Sequence, residues 1–232
     1  DEVDSLPCTK VIIPNALPNS AFAPQGTTTW TAHQPVRLLY LSNLFRAKGI
    51  ETLLKATALL IKDGVAVTLD IAGAPGDITA QKLKYLLSEH GIAHIATYHG
   101  AVIADQRTAL FETTDLFVFP SNYPNEAQPL VVLEAMAAGV PVITSNIATL
   151  PEFVRAGETG RLCLPDDPEK LAQTLKLAIN HPDQTYSMAQ AARLMCQTDF
   201  TIDRFARDIC GVIGRVCKIE PAPKEGPDKN DP

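Results

Sequence analysis

Cysteine and uninterrupted hydrophobic runs are scarce in this chain of 232 residues, which contains five cysteines. No Cys-x-x-Cys pair and no Cys/His cluster with zinc-ligand spacing occurs, so a zinc site and a disulfide-stapled secreted scaffold are disfavoured. The longest apolar stretch, residues 130–144, is broken by Glu134, Gly139 and Pro141, which argues against a membrane-spanning helix. The opening sequence Asp-Glu-Val-Asp does not resemble a signal peptide. We therefore expect a cytoplasmic location.

Positive charge is also in short supply, because the formal net charge at pH 7 is −6. No patch of basic residues interleaved with aromatic residues is visible, so we expect no nucleic-acid partner. An acidic chain can still bind a phosphate, since a few lysines, arginines and backbone N–H groups are enough to hold one.

Short apolar or β-branched runs alternate with helical patterns, which is typical of a parallel sheet covered on both faces. The predicted strands are residues 37–41, 66–72, 96–99, 116–119, 141–144 and 160–164. The predicted helices are residues 48–62, 78–90, 104–113, 130–138, 168–179, 184–196 and 202–216. This order predicts an α/β fold with a doubly wound six-stranded parallel sheet and extra C-terminal helices. Such folds bind ligands beyond the carboxyl ends of their strands.

The pattern divides the chain into three parts. Residues 1–35 form a linker segment, because residues 21–35 show no apolar periodicity. Residues 36–217 form one α/β domain, and residues 218–232, with several prolines and charges, form a tail that we expect to be disordered. Cys210 and Cys217 lie seven positions apart on the last predicted helix, so they share one face, where we expect them to be buried.

Two glutamates, Glu126 and Glu134, stand seven residues apart between the fourth strand and the next helix. Pro129 suits the first turn of that helix, which places Glu126 in the preceding loop and Glu134 one turn inside the helix. The N–H groups near residues 127–130 form an anion site, and Glu134 is well placed to accept the two hydroxyls of a ribose. The alternative is that Glu134 complements the helix dipole and Glu126 is a solvated loop residue.

The segment from Asn125 to Val142 resembles the E-x7-E motif of the family 4 retaining glycosyltransferases of the GT-B fold, with Gln128-Pro129 where Phe-Gly is commoner. In that family the first glutamate contacts the donor sugar close to the reacting carbon, and the second binds the ribose. The resemblance therefore implies a catalytic role for Glu126 and a ribose contact for Glu134. It implies backbone contacts to the sugar and phosphates for Ala127, Gln128, Pro129 and Leu130.

A second group of candidate residues follows the first strand, where Lys48 stands at a predicted helix start. A lysine there adds its charge to the helix dipole, which favours a bound phosphate, although a solvated lysine is the simpler alternative. The family usually has G-R-L-x-x-x-K-G here, with the Arg and the Lys on the pyrophosphate. The resemblance implies that role for Lys48 and a donor contact for Asn43, which replaces the arginine. Arg46 is a neighbouring cation that could recover its charge.

A third group follows the third strand, where Gly100 and Ala101 form a turn. A glycine allows the backbone to approach a flat ring closely. The family contacts the nucleobase with backbone groups at this turn, so the resemblance implies base contacts for Gly100 and Ala101. The alternative is that Gly100 serves only a tight turn. We expect His99, at the strand end, to be structural.

Other catalytic motifs do not match. Residues 71–76 contain glycines after a strand but lack the G-x-G-x-x-G spacing of a dinucleotide site. Ser121 has no G-x-S-x-G context, which argues against a hydrolase nucleophile. Asp166-Asp167 precedes Pro168 and a predicted helix, so an N-cap is a better account of this pair than metal binding. No D-x-D follows a strand, and we expect neither a metal nor another cofactor.

The resemblance extends from about Val11 to Phe200 and covers one of the two domains of the GT-B fold, because residues 11–15 resemble the crossing between them. We expect transfer of a sugar, with retention, from a UDP- or GDP-linked donor bound by this chain. The acceptor would be held by a missing N-terminal domain, which could also attach the enzyme to a membrane surface. Two alternatives stay open: a nucleotide-sugar epimerase or phosphorylase of similar fold, and a non-catalytic nucleotide-sugar-binding module.

Overall fold

The computed structural model describes residues 10–22 and 35–217. Its strands are β1 (Val36–Leu41), β2 (Val67–Ala72), β3 (Ala96–Tyr98), β4 (Leu116–Phe119), β5 (Val142–Ser145) and β6 (Arg161–Cys163). Its helices are α1 (Ile50–Lys62), α2 (Ala80–Glu89), α3 (Ala104–Thr113), α4 (Leu130–Ala137), α5 (Leu150–Phe153), α6 (Pro168–Asn180), α7 (Pro182–Asp199) and α8 (Ile202–Cys217). Short 3₁₀ helices cover Asn19–Phe22 and Arg46–Lys48.

The six strands form one sheet in the order β3-β2-β1-β4-β5-β6, and every neighbouring pair is parallel. The predicted doubly wound α/β fold is therefore confirmed. The chain winds outward from β1 in one direction and then from β4 in the other, so β1 and β4 flank the point where the strand order reverses. In such sheets the turns that follow these two strands enclose a crevice in which ligands bind.

Apolar side chains pack against both faces of the sheet, which explains why the strands read as continuous hydrophobic runs. In β1, Leu38 and Tyr40 lie in the core beneath α1, α2 and α6. Leu39 and Leu41, on the opposite face, pack with side chains of α4 and α7. The sheet therefore has one hydrophobic core on each face, and the turns lie at the carboxyl ends of its strands.

Polar side chains cap the N-termini of two helices, α6 and α2. Asp167 caps α6 by accepting a hydrogen bond at 2.8 Å from the backbone N–H of Lys170, so its predicted N-cap role is confirmed. Thr79 caps α2 in the same way. The four-residue helix α5 was not predicted, because one turn is too short to show an apolar periodicity.

The described part of the linker segment packs against the domain. Leu17 is buried, and its N–H donates to the carbonyl of Phe200 at 2.8 Å. The predicted boundary at residue 36 coincides with the start of β1, but the division of the chain into three parts stays a prediction. Most of residues 21–35 and the tail from residue 218 lie outside the described residues.

Helix α8 contradicts one expectation. Every residue of α8 is exposed or half-exposed, and both Cys210 and Cys217 are exposed. The expectation that these cysteines are buried was wrong, because helical spacing shows that two residues share a face but not that anything covers it. Within residues 10–22 and 35–217, the helices are too short or too polar to cross a membrane.

Candidate active site

Two turns meet at the switch point of the sheet, and they bring Lys48 and Glu126 into contact. Lys48 ends the 3₁₀ helix that follows β1, and Glu126 lies in the loop between β4 and α4. The Lys48 ammonium donates to both carboxylate oxygens of Glu126, at 3.0 Å to Oε1 and 2.8 Å to Oε2. Residues 78 positions apart in the sequence thus form a charge pair at the carboxyl edge of β1 and β4.

The backbone of the two turns is fitted together at Gly49. This glycine has a φ of +78°, and a Cβ built on it would lie 1.8 Å from the carbonyl oxygen of Pro120. Asn122 reinforces the contact, since its N–H donates to the carbonyl of Ala47 at 2.9 Å. Only glycine satisfies both the backbone angle and the close approach, so Gly49 fixes the position of Lys48 relative to the loop after β4.

Glu126 is enclosed by its neighbours, with 7% of its side chain exposed. The Ser121 hydroxyl lies 2.8 Å from Glu126 Oε2, and Thr149 Oγ1, from the turn after β5, donates at 3.0 Å to the main-chain carbonyl of Glu126. Lys48 also lies over the ring of Tyr123, with its Nζ 4.9 Å from the ring centre. Glu126 is therefore not the solvated loop residue that the alternative interpretation described.

The loop that contains Glu126 leads into the first turn of α4. Pro129 occupies the N-cap position with φ −69° and ψ 107°, one residue before the first turn where we predicted it. The N–H groups of Leu130 and Val131 begin the helix and have no acceptor one turn earlier. The side-chain Oε1 of Gln128 accepts from the N–H of Asn15 at 2.6 Å. The exposed Ala127 separates Gln128 from Glu126.

Glu134 lies on the second turn of α4 and pairs with Arg107 of α3. One guanidinium nitrogen, Nη1, is 3.1 Å from Oε1 and 3.3 Å from Oε2. Burial raises the pKa of Glu134 above its ordinary value, and the charge of Arg107 opposes this rise. The two side chains share the wall of a cavity of about 210 Å³ between α3, α4 and residues 18–21.

The turns after β1, β2 and β3 are hydrogen-bonded to one another. Gly100, with a φ of +70°, accepts at its carbonyl from the N–H of Gly73 at 2.7 Å. A Cβ at Gly100 would meet no atom within 4 Å, and Ala101 is exposed, so this turn presents an open face. Asn43 Oδ1 accepts from the N–H of Ala74 at 3.1 Å, which fixes the Asn43 side chain on the β2 turn.

Arg46 and His99, which lie close to the candidate residues in the sequence, each pair with an acidic side chain. Arg46 forms an ion pair with Glu51 on α1, with 3.2 Å between Nη1 and Oε1. His99 Nε2 lies 2.6 Å from Asp70 of β2, in keeping with the structural role that we expect for it.

Arg107 and the contact of Ser121 with Glu126 were not predicted as parts of the site. Arg107 on α3 contacts Glu134 on α4, 27 positions later in the sequence, and no local sequence motif predicts such a contact. The Ser121 contact could have been suspected, since Ser121 immediately follows Pro120 at the end of β4 and stands five residues before Glu126. In the described residues, no group of three or more His, Cys, Asp or Glu side chains could hold a metal ion.

Known proteins resemble this chain in sequence and in fold. The sequence model described as "Glycosyl transferases group 1" matches residues 31–195. The chain belongs to this family. Glycogen synthase from Mycobacterium tuberculosis is 33% identical over 169 residues, which are 72% of this chain and 39% of that protein. This group 1 glycosyltransferase chain thus spans well under half the length of that relative.

Solved structures confirm the GT-B type of fold for this group 1 chain. Sucrose-phosphate synthase from Thermosynechococcus elongatus superposes with a TM-score of 0.76 and 25% identity, over 90% of this chain and 53% of that chain. HepE from Anabaena, solved in complex with UDP-glucose, superposes with a TM-score of 0.69 and 21% identity, over 79% of this chain and 49% of that chain. At that identity the likeness to HepE shows the fold alone.

Proposed function

We propose that this chain supplies the donor-binding half of a glycosyltransferase that takes a sugar from a UDP- or GDP-linked donor and transfers it with retention at the anomeric carbon. The observation that carries the proposal is the contact between Lys48 and Glu126 beside the first turn of α4. Membership in group 1 supports the reaction class. HepE, with which this chain shares its fold, was solved in complex with UDP-glucose, and our proposal extends a nucleotide sugar as donor to this chain.

In the proposed reaction, the bond between the anomeric carbon and the phosphate oxygen breaks, and the leaving nucleoside diphosphate keeps the electron pair. Lys48 and the free N–H groups at the start of α4 would stabilise the negative charge that develops there. An ammonium group has three N–H donors, so Lys48 can contact both Glu126 oxygens and still donate to a phosphate. The Glu126 carboxylate would face the positive charge that develops on the sugar ring. The acceptor oxygen then bonds to the same carbon, and its proton passes to an oxygen of the leaving nucleoside diphosphate.

The remaining donor contacts follow the arrangement of the turns. Glu134 would accept the ribose hydroxyls, and the open turn at Gly100 and Ala101 would contact the base through its backbone. Ala127, Pro129 and Leu130 would supply main-chain contacts to the sugar and phosphates. Asn43 and Gln128 are proposed as weaker contributors, because each already makes a hydrogen bond to another part of the chain.

Catalysis needs more than these contacts. An acceptor must be held in near-attack geometry and water must be excluded, which two-domain enzymes achieve by closing one domain on the other. We therefore propose that the acceptor is held by a second domain, as the lengths of the relatives suggest. By this proposal, the 232-residue chain alone binds the donor but transfers no sugar.

Donor binding can be tested by a thermal-shift screen of UDP-, GDP- and ADP-glucose, because a ligand that binds the native state raises its stability. We expect at least one donor to raise the melting temperature. The Lys48→Ala variant should lose affinity for the matching nucleoside diphosphate but bind the nucleoside as the wild type does. Equal losses of affinity for both ligands would show that Lys48 does not contact the phosphate. If no donor raises the melting temperature of the wild type, the proposed function is contradicted.

Transfer is tested by following nucleotide release from the best donor with water, inorganic phosphate and alcohols as acceptors, with and without EDTA. We expect slow release that depends on neither the acceptor nor EDTA. Rapid acceptor-dependent turnover would contradict the half-enzyme proposal. Phosphate-dependent release would favour a phosphorylase, and epimerised donor an epimerase. A nucleotide that binds while the donor stays intact, even with the second domain supplied, would favour a non-catalytic binding module.

A further inference from the structure

The contact between Arg107 and Glu134 has a geometry that leaves part of the carboxylate available. A single nitrogen of Arg107 lies within 3.3 Å of both oxygens, so it occupies the edge of the carboxylate that lies between them. An ionised carboxylate has about four lone-pair directions. The outer side of each oxygen therefore remains for another donor, such as a hydroxyl group of a ligand.

The surroundings of the pair differ from those of an ordinary surface ion pair. The side chain of Glu134 is 19% exposed and that of Arg107 is 37% exposed, and both line the cavity between α3 and α4. Apolar residues, including Phe111 and Ala138, form part of the same wall. Burial disfavours the charged form of Glu134, and the nearby guanidinium counteracts this effect. Arg107 thus opposes the rise in the pKa of Glu134 that burial causes.

The backbone around Arg107 is also fixed. Arg107 lies on the second turn of α3, and the first turn of this helix is held by Gln106, whose Oε1 accepts from the N–H of Ile103 at 3.0 Å. The helix begins directly after the turn that contains Gly100 and Ala101. Arg107 therefore connects the element proposed to contact the base with the element proposed to contact the ribose.

We propose that Arg107 is a positioning residue that orients the Glu134 carboxylate so that an outer side accepts a ribose hydroxyl, and so makes the site select ribonucleotides over 2′-deoxyribonucleotides. This inference rests on the proposed function, because it requires a nucleotide to bind beside Glu134. A purely structural role, in which Arg107 only joins α3 to α4, would affect every nucleotide equally. The two roles differ in whether the loss depends on the ribose hydroxyls.

The test is calorimetric titration of the 232-residue chain with UDP and with 2′-deoxy-UDP, or with the GDP pair if GDP binds more tightly. The wild type should bind the ribonucleotide at least about tenfold more tightly, which corresponds to one hydrogen bond to a charged group. Arg107→Ala should lower the affinity for UDP by roughly tenfold and that for 2′-deoxy-UDP by less than about twofold. Arg107→Lys should restore part of the preference, since it keeps the charge.

Two further variants make the test specific. Arg155→Ala removes an arginine that faces Glu158 near the surface, outside the cavity, and should change neither affinity. Arg107→Gln keeps a hydrogen-bond donor without the charge and replaces the alanine variant if that variant does not fold. Equal losses for both nucleotides, or no loss, would overturn the role of Arg107 while leaving the proposed function intact. If the wild type binds neither UDP, GDP nor ADP, the proposed function fails and this inference fails with it.

Discussion

Glu126 and Glu134 belong to one motif, but the structure holds them in different ways. Glu126 is 7% exposed, and it is fixed by residues from three turns, among them Lys48 and Thr149. Glu134 is 19% exposed, and the helix α4 itself positions it, with Arg107 as its partner. The first glutamate therefore depends on tertiary contacts, whereas the second depends on a local helix. Disturbing the turns should damage the first site and spare the second.

The largest effect is expected from Gly49→Ala. The added Cβ would collide with the carbonyl of Pro120, and the positive φ adds backbone strain, so the free energy of unfolding should fall by about 3 kcal/mol or more. Gly64→Ala is the matched control, since Gly64 has a φ of +77° but a Cβ there would meet no atom within 4 Å. Its cost should be only about 1–2 kcal/mol. Urea denaturation of both variants measures the difference, and equal costs would show that the close approach is unimportant.

The next effect concerns the two cations. Lys48→Met leaves Glu126 buried without its counter-charge and should lower the free energy of unfolding at pH 7 by about 2–3 kcal/mol. Arg107→Met should cost less than about 1 kcal/mol, because that pair is more exposed. Combining Lys48→Met with Glu126→Gln should recover part of the loss. A larger cost for Arg107→Met than for Lys48→Met would invert the comparison.

A binding measurement separates the second glutamate from the first. Glu134→Ala should weaken nucleotide binding by roughly 1.5–3 kcal/mol, the range for hydrogen bonds to a charged group. The fold should persist, since the side chain faces Arg107 and a cavity rather than the core. Calorimetry with UDP or GDP checks the affinity, and circular dichroism checks the fold. Unchanged affinity would leave Glu134 with only a role in the helix dipole.

The smallest expected effect is a pH-dependent gain in stability for Glu134→Gln. Burial raises the pKa of Glu134 in the folded state, so ionisation there disfavours folding at pH values above this raised pKa. The neutral variant should therefore melt slightly higher than the wild type at pH 7. The gain should disappear as the pH falls below the ordinary glutamate value, where the wild-type side chain is protonated in both states. Glu158→Gln, at an exposed position, should show no such gain.

The sequence predicted the strands and most helices closely because both faces of the sheet are covered and each element is apolar in a regular pattern. It also placed Lys48 and Glu126 at turns that the fold brings together. The pairing of Glu134 with Arg107 could not be predicted from the sequence, since the distance between two helices depends on how their side chains pack. The prediction that Cys210 is buried was wrong for a related reason, because tertiary packing decides whether a helix face is covered. Pro129 was misplaced by one residue, because the fixed φ of proline is compatible with the observed N-cap backbone, φ −69°, as well as with the first helical position.

The backbone contact between Gly49 and Pro120 has a consequence for engineering. Since the turn after β1 and the loop after β4 fit against each other without room for a methyl group, they behave as one part. If the loop after β4 were replaced by that of a relative, its backbone would no longer fit against Gly49. The carboxylate at position 126 would then be displaced, unless the turn after β1 were replaced as well. Exchange of the turn at Gly100, which has open space around it, is free of this constraint. If the donor contacts are as we propose, the turn at the nucleobase can therefore be redesigned separately from the loop at the sugar.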